Sequence, residues 1–352
     1  MNKNSKTRSK QFSVTQQDIA KRAGVSSAVV SYVINNGPRV VAEDTRHRVL
    51  EAIQALGYRP SRYAPGLQAH LATSQPQLGI ILGGRVDMLQ QPYYGDILAG
   101  IYTEAYQQGQ QIRFLHFFEE LHNPALFNQH VNSEEISALL FFISEISLTT
   151  PENQALLHQI LARVKNAVCL EQPIANLPAV IFDRADAART AVTHLIQLGH
   201  QRIGFVGKPD ERATGYRQTL LDHGLPYDDG LVQRTRNFAE DGYKGAFPLL
   251  DLNPRPTAIF AASDEVALGI LGALHDRGLK SPEDLALVSV DDLPFAAIVR
   301  PALTTVRVPR RQMGIHALRM IAMHATYPDT QPASMVLPTE LIVRQSCGAK
   351  RD

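Results

Sequence analysis

Side chains that donate and accept hydrogen bonds, set on two short helical stretches, are the first chemistry this chain offers. Residues Thr15 to Asn35 read TQQDIAKRAGVSSAVVSYVIN. The Thr15 hydroxyl can accept the backbone N–H three residues on and Asp18 can return the bond, which starts a helix. Ile19 and Ala20 give that helix an apolar side, and Gly24 supplies a left-handed corner that a Cβ would resist. Ser26 caps a second helix whose buried side is Val29, Val30 and Val33. Ala20, Gly24, Val25, Val30 and Val33 have the spacing of a helix-turn-helix, with a small residue where helices touch and branched residues beneath. An ordinary αα-hairpin shares this outline, so the stretch alone leaves DNA recognition and plain packing both open.

Catalytic chemistry finds no footing. There is no GxSxG, HExxH or CxxC, and the twelve histidines never fall at i, i+4. GFVGKP at 204–209 contains Gly-Lys but lacks the glycine spacing and the Ser/Thr of a phosphate loop. Cys169 and Cys347 lie far apart without metal-ligand spacing, so neither a disulfide framework nor a metal site is expected, and Cys169 in AVCL reads as a buried thiol. No cofactor is expected.

The elements that position the helix pair follow from charge and periodicity. Residues 1–70 hold eleven Lys/Arg against four Asp/Glu, while the rest carries twenty-four against thirty, so a basic head precedes an acidic body. That asymmetry suits a polyanion contact confined to the head. Residues 1–12 read as a flexible polar tail. After the breaker Asn35-Asn36-Gly37-Pro38, a third helix spans roughly Glu43 to Leu56, with Val49, Leu50, Ile53 and Leu56 on one face and Gly57 as its stop. Arg59 to Pro76 reads as a linker. From Gln77, short apolar runs alternate with amphipathic helices: 78–82, 112–117, 138–143 and 167–170, then 179–182, 202–206, 257–261 and 285–290. This is an α/β pattern of parallel sheets flanked by helices, in two series and therefore two lobes. Ligands of such folds bind at the carboxyl ends of the strands, here between the lobes. No apolar run approaches the roughly 20 residues of a membrane helix, and the basic, polar N-terminus does not mark secretion. A cytoplasmic protein is expected.

Taken in order, these segments resemble the LacI (lactose repressor)/GalR family of bacterial transcriptional regulators. The likeness rests on DIAKRAGVSSAVVSYVIN and EDTRHRVLEAIQALGYRP in the head. In the body it rests on HLIQLGHQRIGFVG at 194–207, the RxxGY of Arg212 to Tyr216, SDEVALGIL at 263–271, SVDD at 289–292, RPALTTVRVP at 300–309, MGIHAL at 313–318 and LPTELIVRQS at 337–346. The resemblance implies a three-helix helix-turn-helix head and a two-lobed core like that of periplasmic binding proteins. It also implies a homodimer on a near-palindromic operator, and a small polar effector, a sugar or related metabolite. The implied division is a helix-turn-helix domain at 13–60, a hinge at 61–76 and an effector-binding and dimerisation core at 77–352. Within the core, lobe one covers about 77–172 and 307–330, and lobe two about 173–306 and 331–346. The chain stops at SCGAKRD without the leucine heptads of the family's tetramers, so dimers are expected.

Residue by residue, the resemblance places Ser27, Ala28 and Tyr32 against base edges. A hydroxyl can donate or accept, and a methyl can meet thymine. Ala28 as simple helix filler is the competing reading. Ser26, Ser31, Asn35 and Arg39 fall to phosphate contacts, with a solvated surface charge as the alternative for Arg39, and Thr15 is counted with the DNA-binding residues. Leu67 matches the hinge leucine wedged into the minor groove. Pro65 and Gly66 depart from the family there, by deleting a helical hydrogen bond and adding backbone entropy, and predict a weak hinge helix.

The effector contacts implied are Tyr93, Tyr94, Arg212, Ser263 and Asp291. Tyrosine stacks on a ring, arginine donates a fork of bonds, and aspartate accepts from hydroxyls or amines. The competing readings are a surface ion pair for Arg212, a turn cap for Asp291 with Asp292, and core packing for one tyrosine. Ser263 stands where the family often has Asn. Asp183 reads equally as a cleft residue or a helix cap, and Glu145 as a loop carboxylate. A solute receptor would instead show a signal peptide and no basic head, and a hydrolase or dehydrogenase would show the motifs missing above.

Overall fold

Periodicity and capping chemistry account for most of the elements. The computed structural model describes residues 14–35, 41–58, 77–84, 86–143, 145–327 and 333–349. The tail 1–12, the breaker after Asn35, Arg39 and the hinge 61–76 with Pro65, Gly66 and Leu67 lie outside them.

The head holds helices α1 (Gln16–Ala23), α2 (Ser27–Asn35) and α3 (Glu43–Leu56). Thr15 Oγ1 accepts the Asp18 N–H at 3.3 Å, and Asp18 Oδ2 takes the Thr15 N–H at 2.8 Å, so the capping box forms. The Thr15 hydroxyl, which donates to Asp18 Oδ2 at 2.7 Å, and after it the Thr15 N–H hold the Asp18 carboxyl below its usual range. Gly24 turns the corner at φ 66°. Ser26 Oγ caps α2 by accepting the Val29 N–H at 3.4 Å. Arg48 on α3 donates to the Ala23 carbonyl at 3.2 Å, bracing the corner from below. Ile19, Val30, Val33, Val49 and Ile53 close a shared core, each at most 1% exposed. Each such side chain contributes about 1.5–3 kcal/mol on burial.

The remaining elements are β1 (Gln77–Leu82), α4 (Pro92–Gln107), β2 (Gln111–Phe117), α5 (Pro124–His130), β3 (Ala138–Phe142), α6 (Pro151–Arg163), β4 (Ala167–Leu170), β5 (Ala179–Phe182), α7 (Arg184–Gln197), β6 (Ile203–Gly207), α8 (Glu211–Asp222) and β7 (Val232–Arg234). After them come α9 (Ala239–Leu250), β8 (Ala258–Ala261), α10 (Asp264–Asp276), β9 (Ala286–Asp291), β10 (Thr304–Arg307), α11 (Arg310–Thr326), β11 (Ser334–Leu337) and β12 (Glu340–Ile342). All eight apolar runs of the sequence are strands. β7, β10, β11 and β12 are the additions; each is only three or four residues long, with at most three apolar residues in succession.

The chain divides into two compact units. The first includes the residues up to Val86, Tyr102–Ala179 and Ala317–Ala333; the second holds Asp87–Ile101, Val180–His316 and Ser334–Asp352. In the first, β2, β1, β3 and β4 lie side by side in that order, all parallel. In the second, the sheet order is β12-β10-β9-β8-β6-β7, parallel from β10 to β7, with β12 antiparallel at the edge. Phe205, Phe260 and Tyr216 fill the core of that unit, with Phe205 and Tyr216 stacked at 5.4 Å. A parallel sheet turns every strand's carboxyl end to one edge, so Gly207, Ala261 and Asp291 finish together. Among the described residues no helix is long and apolar enough to cross a membrane.

Candidate functional site

Two sets of residues stand out, one on α2 and one at the carboxyl edge of the second unit's sheet. On α2, the buried Val30 and Val33 fix which side faces inward. Ser27 and Ala28 are then exposed, while Ser31 and Tyr32, one turn further along the same two rows, are half-buried. Ser26 and Thr15, both exposed, are occupied as helix caps; the Ser26 hydroxyl accepts the Val29 N–H, whereas the Thr15 hydroxyl both accepts the Asp18 N–H and donates to Asp18 Oδ2 at 2.7 Å. Asn35 closes α2. Lys21 and Arg22, which the sequence argument did not single out, are exposed in the last turn of α1 and add cations to the headpiece.

In the second unit the helix start of α4 carries Tyr93 and Tyr94, both half-buried, with ring centroids 5.3 Å apart in an edge-to-face arrangement. Neither is a fully buried core residue. Arg212, in the first turn of α8, is 6% exposed. Its Nε and Nη2 bind the two oxygens of Asp210 at 3.1 and 2.6 Å, and its Nη1 donates to the Ala262 carbonyl at 2.7 Å. It is therefore a buried ion-pair member, and three of its five N–H bonds have protein partners. Burial alone would raise the Asp210 carboxyl. The Arg212 charge and three hydrogen bonds from Arg212 outweigh it and hold Asp210 below its usual range. Burial likewise works against the Arg212 cation, but Asp210, then Asp291 and Tyr93, keep it charged. The other members of the RxxGY motif are structural. Gly215 lets α8 approach α7, because a Cβ there would sit 2.4 Å from the Ala185 carbonyl oxygen, and Tyr216 is a core ring donating to the Ile203 carbonyl at 2.7 Å.

Ser263 is buried and caps α10, its Oγ accepting the Val266 N–H at 3.2 Å. Asp183 is likewise the cap of α7, accepting the Asp186 N–H at 2.8 Å. Asp291 ends β9, is 5% exposed, and has φ 120°; Asp292 follows at φ 56°. Both lie in the left-handed region that residues with a Cβ rarely adopt, so neighbouring contacts must hold this corner.

Those contacts come from residues that sequence reasoning missed. Arg310, 6% exposed, donates to the carbonyls of Asp291 and Asp292 and binds Asp96 Oδ2 through Nε at 3.0 Å and Nη2 at 2.8 Å. Its guanidinium lies 5.9 Å from the Tyr93 ring centroid. Asp292 in turn accepts from Arg344 at 2.6 Å and Arg307 at 2.8 Å. Asp264, wholly buried, accepts from Ser289 Oγ at 2.6 Å, Thr305 Oγ1 at 2.7 Å and the Leu293 N–H at 2.6 Å. Desolvation pushes the Asp264 carboxyl up to about 6 despite those three bonds. Tyr93, Tyr94, Arg212, Ser263 and Asp291 thus all belong to the second unit, and Arg212 is electrostatically linked to both Tyr93 and Asp291. Among the described residues no cluster of His, Cys, Asp and Glu could hold a metal ion.

Comparisons with known proteins place the chain in a family. Residues 15–61 match the family model described as bacterial regulatory proteins, lacI family, and residues 192–347 match a periplasmic binding protein-like domain. Catabolite control protein A of Priestia megaterium is 30% identical, covering 95% of this chain and 99% of its own. The transcriptional repressor PurR of Haemophilus influenzae (strain PittEE) is 30% identical over 94% and 98%. Among solved structures, the complex of the transcriptional regulator CelR with cellobiose superposes with a TM-score of 0.67 at 28% identity, covering 95% of this chain and 99% of that one. A lac repressor dimer bound to operator and an anti-inducer gives 0.67 at 24% over 96% and 100%, a likeness of fold.

Proposed function

Since the chain belongs to the lacI family of bacterial regulatory proteins, DNA-binding regulators of transcription, we propose that it is a repressor controlled by a small polar effector. It binds a near-palindromic operator as a homodimer, acts in the cytoplasm where that DNA lies, and turns nothing over. In this reading residues 13–60 are the DNA-binding domain, 61–76 the hinge and 77–352 the effector-binding and dimerisation core. The observation that carries it is exposed Ser27 and Ala28 on α2, with Val30 and Val33 buried behind them, inside the segment that matches the family's DNA-binding model. Ser27, Ala28 and Tyr32 read base edges, and Ser26, Ser31, Asn35 and Arg39 position the head on phosphates, with Thr15 at the DNA-facing start of α1 and Leu67 as the minor-groove wedge. Two-fold symmetry doubles the DNA surface that one small head can cover.

Tyr93, Tyr94, Arg212, Ser263 and Asp291 receive the effector. The chemistry fits an uncharged ring compound: rings to stack on, remaining guanidinium hydrogens to donate, and a carboxylate to accept from hydroxyls or amines. Arg212 is already neutralised by Asp210, which disfavours it as a receiver of an anionic group. A bound effector acts by preferring one conformation of the dimer, and so shifts the population able to hold operator. Selection from random duplex DNA by the full-length protein, at a stated salt concentration, tests the regulator reading. Recovery of a palindrome is expected; a pool with no common sequence, with and without added metabolite extract, contradicts it.

A further inference from the structure

Arg48 is an exposed cation on the DNA-binding head, and exposure alone would count it among the phosphate contacts. Its bonds, however, are made within the head. Nη1 donates to the Ala23 carbonyl at 3.2 Å, Nη2 donates to Thr45 Oγ1 at 3.4 Å, and Nε pairs with Asp44 Oδ2 at 3.5 Å. Each of its three nitrogens therefore has a protein partner. Thr45 and Asp44 stand three and four residues earlier on α3, on the same side of that helix, and hold the guanidinium where it meets the end of α1.

The last carbonyls of a helix have no partner inside it. At the end of α1 the N–H groups of Gly24 and Val25 take the Ala20 carbonyl. Arg48 takes the Ala23 carbonyl, at the helix end where the dipole favours a cation. A Cβ on Gly24 would lie 3.7 Å from Arg48 Nη1, so the guanidinium lies directly against the left-handed corner. Ser27 and Ala28 follow that corner by three and four residues. Beneath it, Ile19 from α1, Val30 and Val33 from α2, and Val49 and Ile53 from α3 share one apolar core. Apolar contact is non-directional, whereas a hydrogen bond prefers one direction. Arg48 is thus a directional tie from α3 to the corner from which α2 departs.

We infer that Arg48 is a positioning residue for base recognition. It holds the corner between α1 and α2 at the angle that carries Ser27 and Ala28 to the base edges, and its charge is not used on a phosphate. The inference rests on the DNA-binding reading above and adds to its specificity a residue outside α1 and α2. Arginine suits the place because its planar fork makes several bonds at once, whereas lysine is a point charge on a flexible stem.

Binding of the full-length protein to duplex DNA over a series of potassium chloride concentrations tests this. The probes are the palindrome that wild type recovers from random duplex, and a scrambled duplex of the same composition. Arg48→Gln is expected to weaken binding of the palindrome roughly tenfold, the scale of one hydrogen bond to a charged group. It should leave the scrambled duplex and the salt slope as in wild type. Loss of a phosphate contact would weaken both duplexes alike and reduce the slope by about 0.9, and that result overturns the inference. So does full recovery of palindrome affinity by Arg48→Lys, which restores the charge without the fork. Amide hydrogen exchange is the second measurement. Arg48→Gln should speed exchange at Gly24 and Val25 and leave residues 49–53 unchanged; equal acceleration across all three helices would mean a loosened head and would also overturn it. If wild type recovers no palindrome, the DNA-binding reading falls and the inference with it. Once a palindrome is in hand, the salt slope and the exchange pattern judge Arg48 alone.

Discussion

The α2 surface and the carboxyl edge of the second unit's sheet are built on opposite plans. On α2 the groups facing outward take no part in the core, which is made by Val30 and Val33 on the other side. At the sheet edge the candidate contacts are themselves structural: Arg212 is clamped by Asp210, Ser263 caps a helix, and Asp291 is held by Arg310. The difference teaches where function can vary freely. Exposed Ala28 can change with little cost to the fold, whereas replacing Ser263 breaks a helix cap and replacing Arg212 a buried ion pair.

The largest effect expected falls on the buried plan. Asp210→Ala leaves the Arg212 cation buried and unpaired, a loss of about 3–5 kcal/mol, to be read from the denaturant midpoint of the second unit's transition. A loss below 1 kcal/mol would erase the contrast. The head has its own buried part, and Ile53→Ala, at 0% exposure, is expected to cost about 2–5 kcal/mol in helical signal of the head and to weaken DNA binding accordingly.

A pH titration sharpens the comparison. Burial raises the Asp264 carboxyl, so the folded chain keeps its proton to higher pH than the unfolded one. The stabilisation this gives is present below the usual carboxylate value and is lost as pH rises toward about 6. Asp210 runs the other way: its folded value is depressed, so its contribution is present above the usual carboxylate range and lost as acid takes it through the folded value. Asp264→Asn should therefore remove a downward slope of stability between pH 4 and 6, seen as midpoints compared with wild type. An unaltered slope would assign the titration elsewhere. Smaller still, Thr15→Ala removes the capping box of α1 and should cost the head about 1 kcal/mol.

The strength of each signal in the sequence decided what was legible there. Side-chain caps open α1 and α2, left-handed glycines close α1 and α3, and α3 begins and ends at Glu43 and Leu56 as read from the sequence. Strands buried on both faces show as apolar runs, so eight were visible. β10 was not, because Thr304 and Thr305 lie in the core with hydroxyls bonded to Cys347 Sγ and Asp264, partners far away in sequence. Asp210 stands two residues before Arg212 and caps α8, a local signal that was available but unused. Arg310 carried none: its partners Asp96, Asp291 and Asp292 come from distant segments that only the fold brings together. Asp183 was ambiguous between cleft and cap until its bond to the Asp186 N–H placed it as a cap.

The most direct test of the head's role compares random-duplex selection by wild type and by Ala28→Gln under one salt condition. Ala28 is exposed, and the change should leave stability within about 0.5 kcal/mol. If α2 reads base edges, both proteins enrich palindromes, and the two differ at a symmetric pair of positions, since an amide asks for adenine where a methyl meets thymine. Identical palindromes from both would remove Ala28 from the reading surface, and no palindrome from either would contradict the regulator itself.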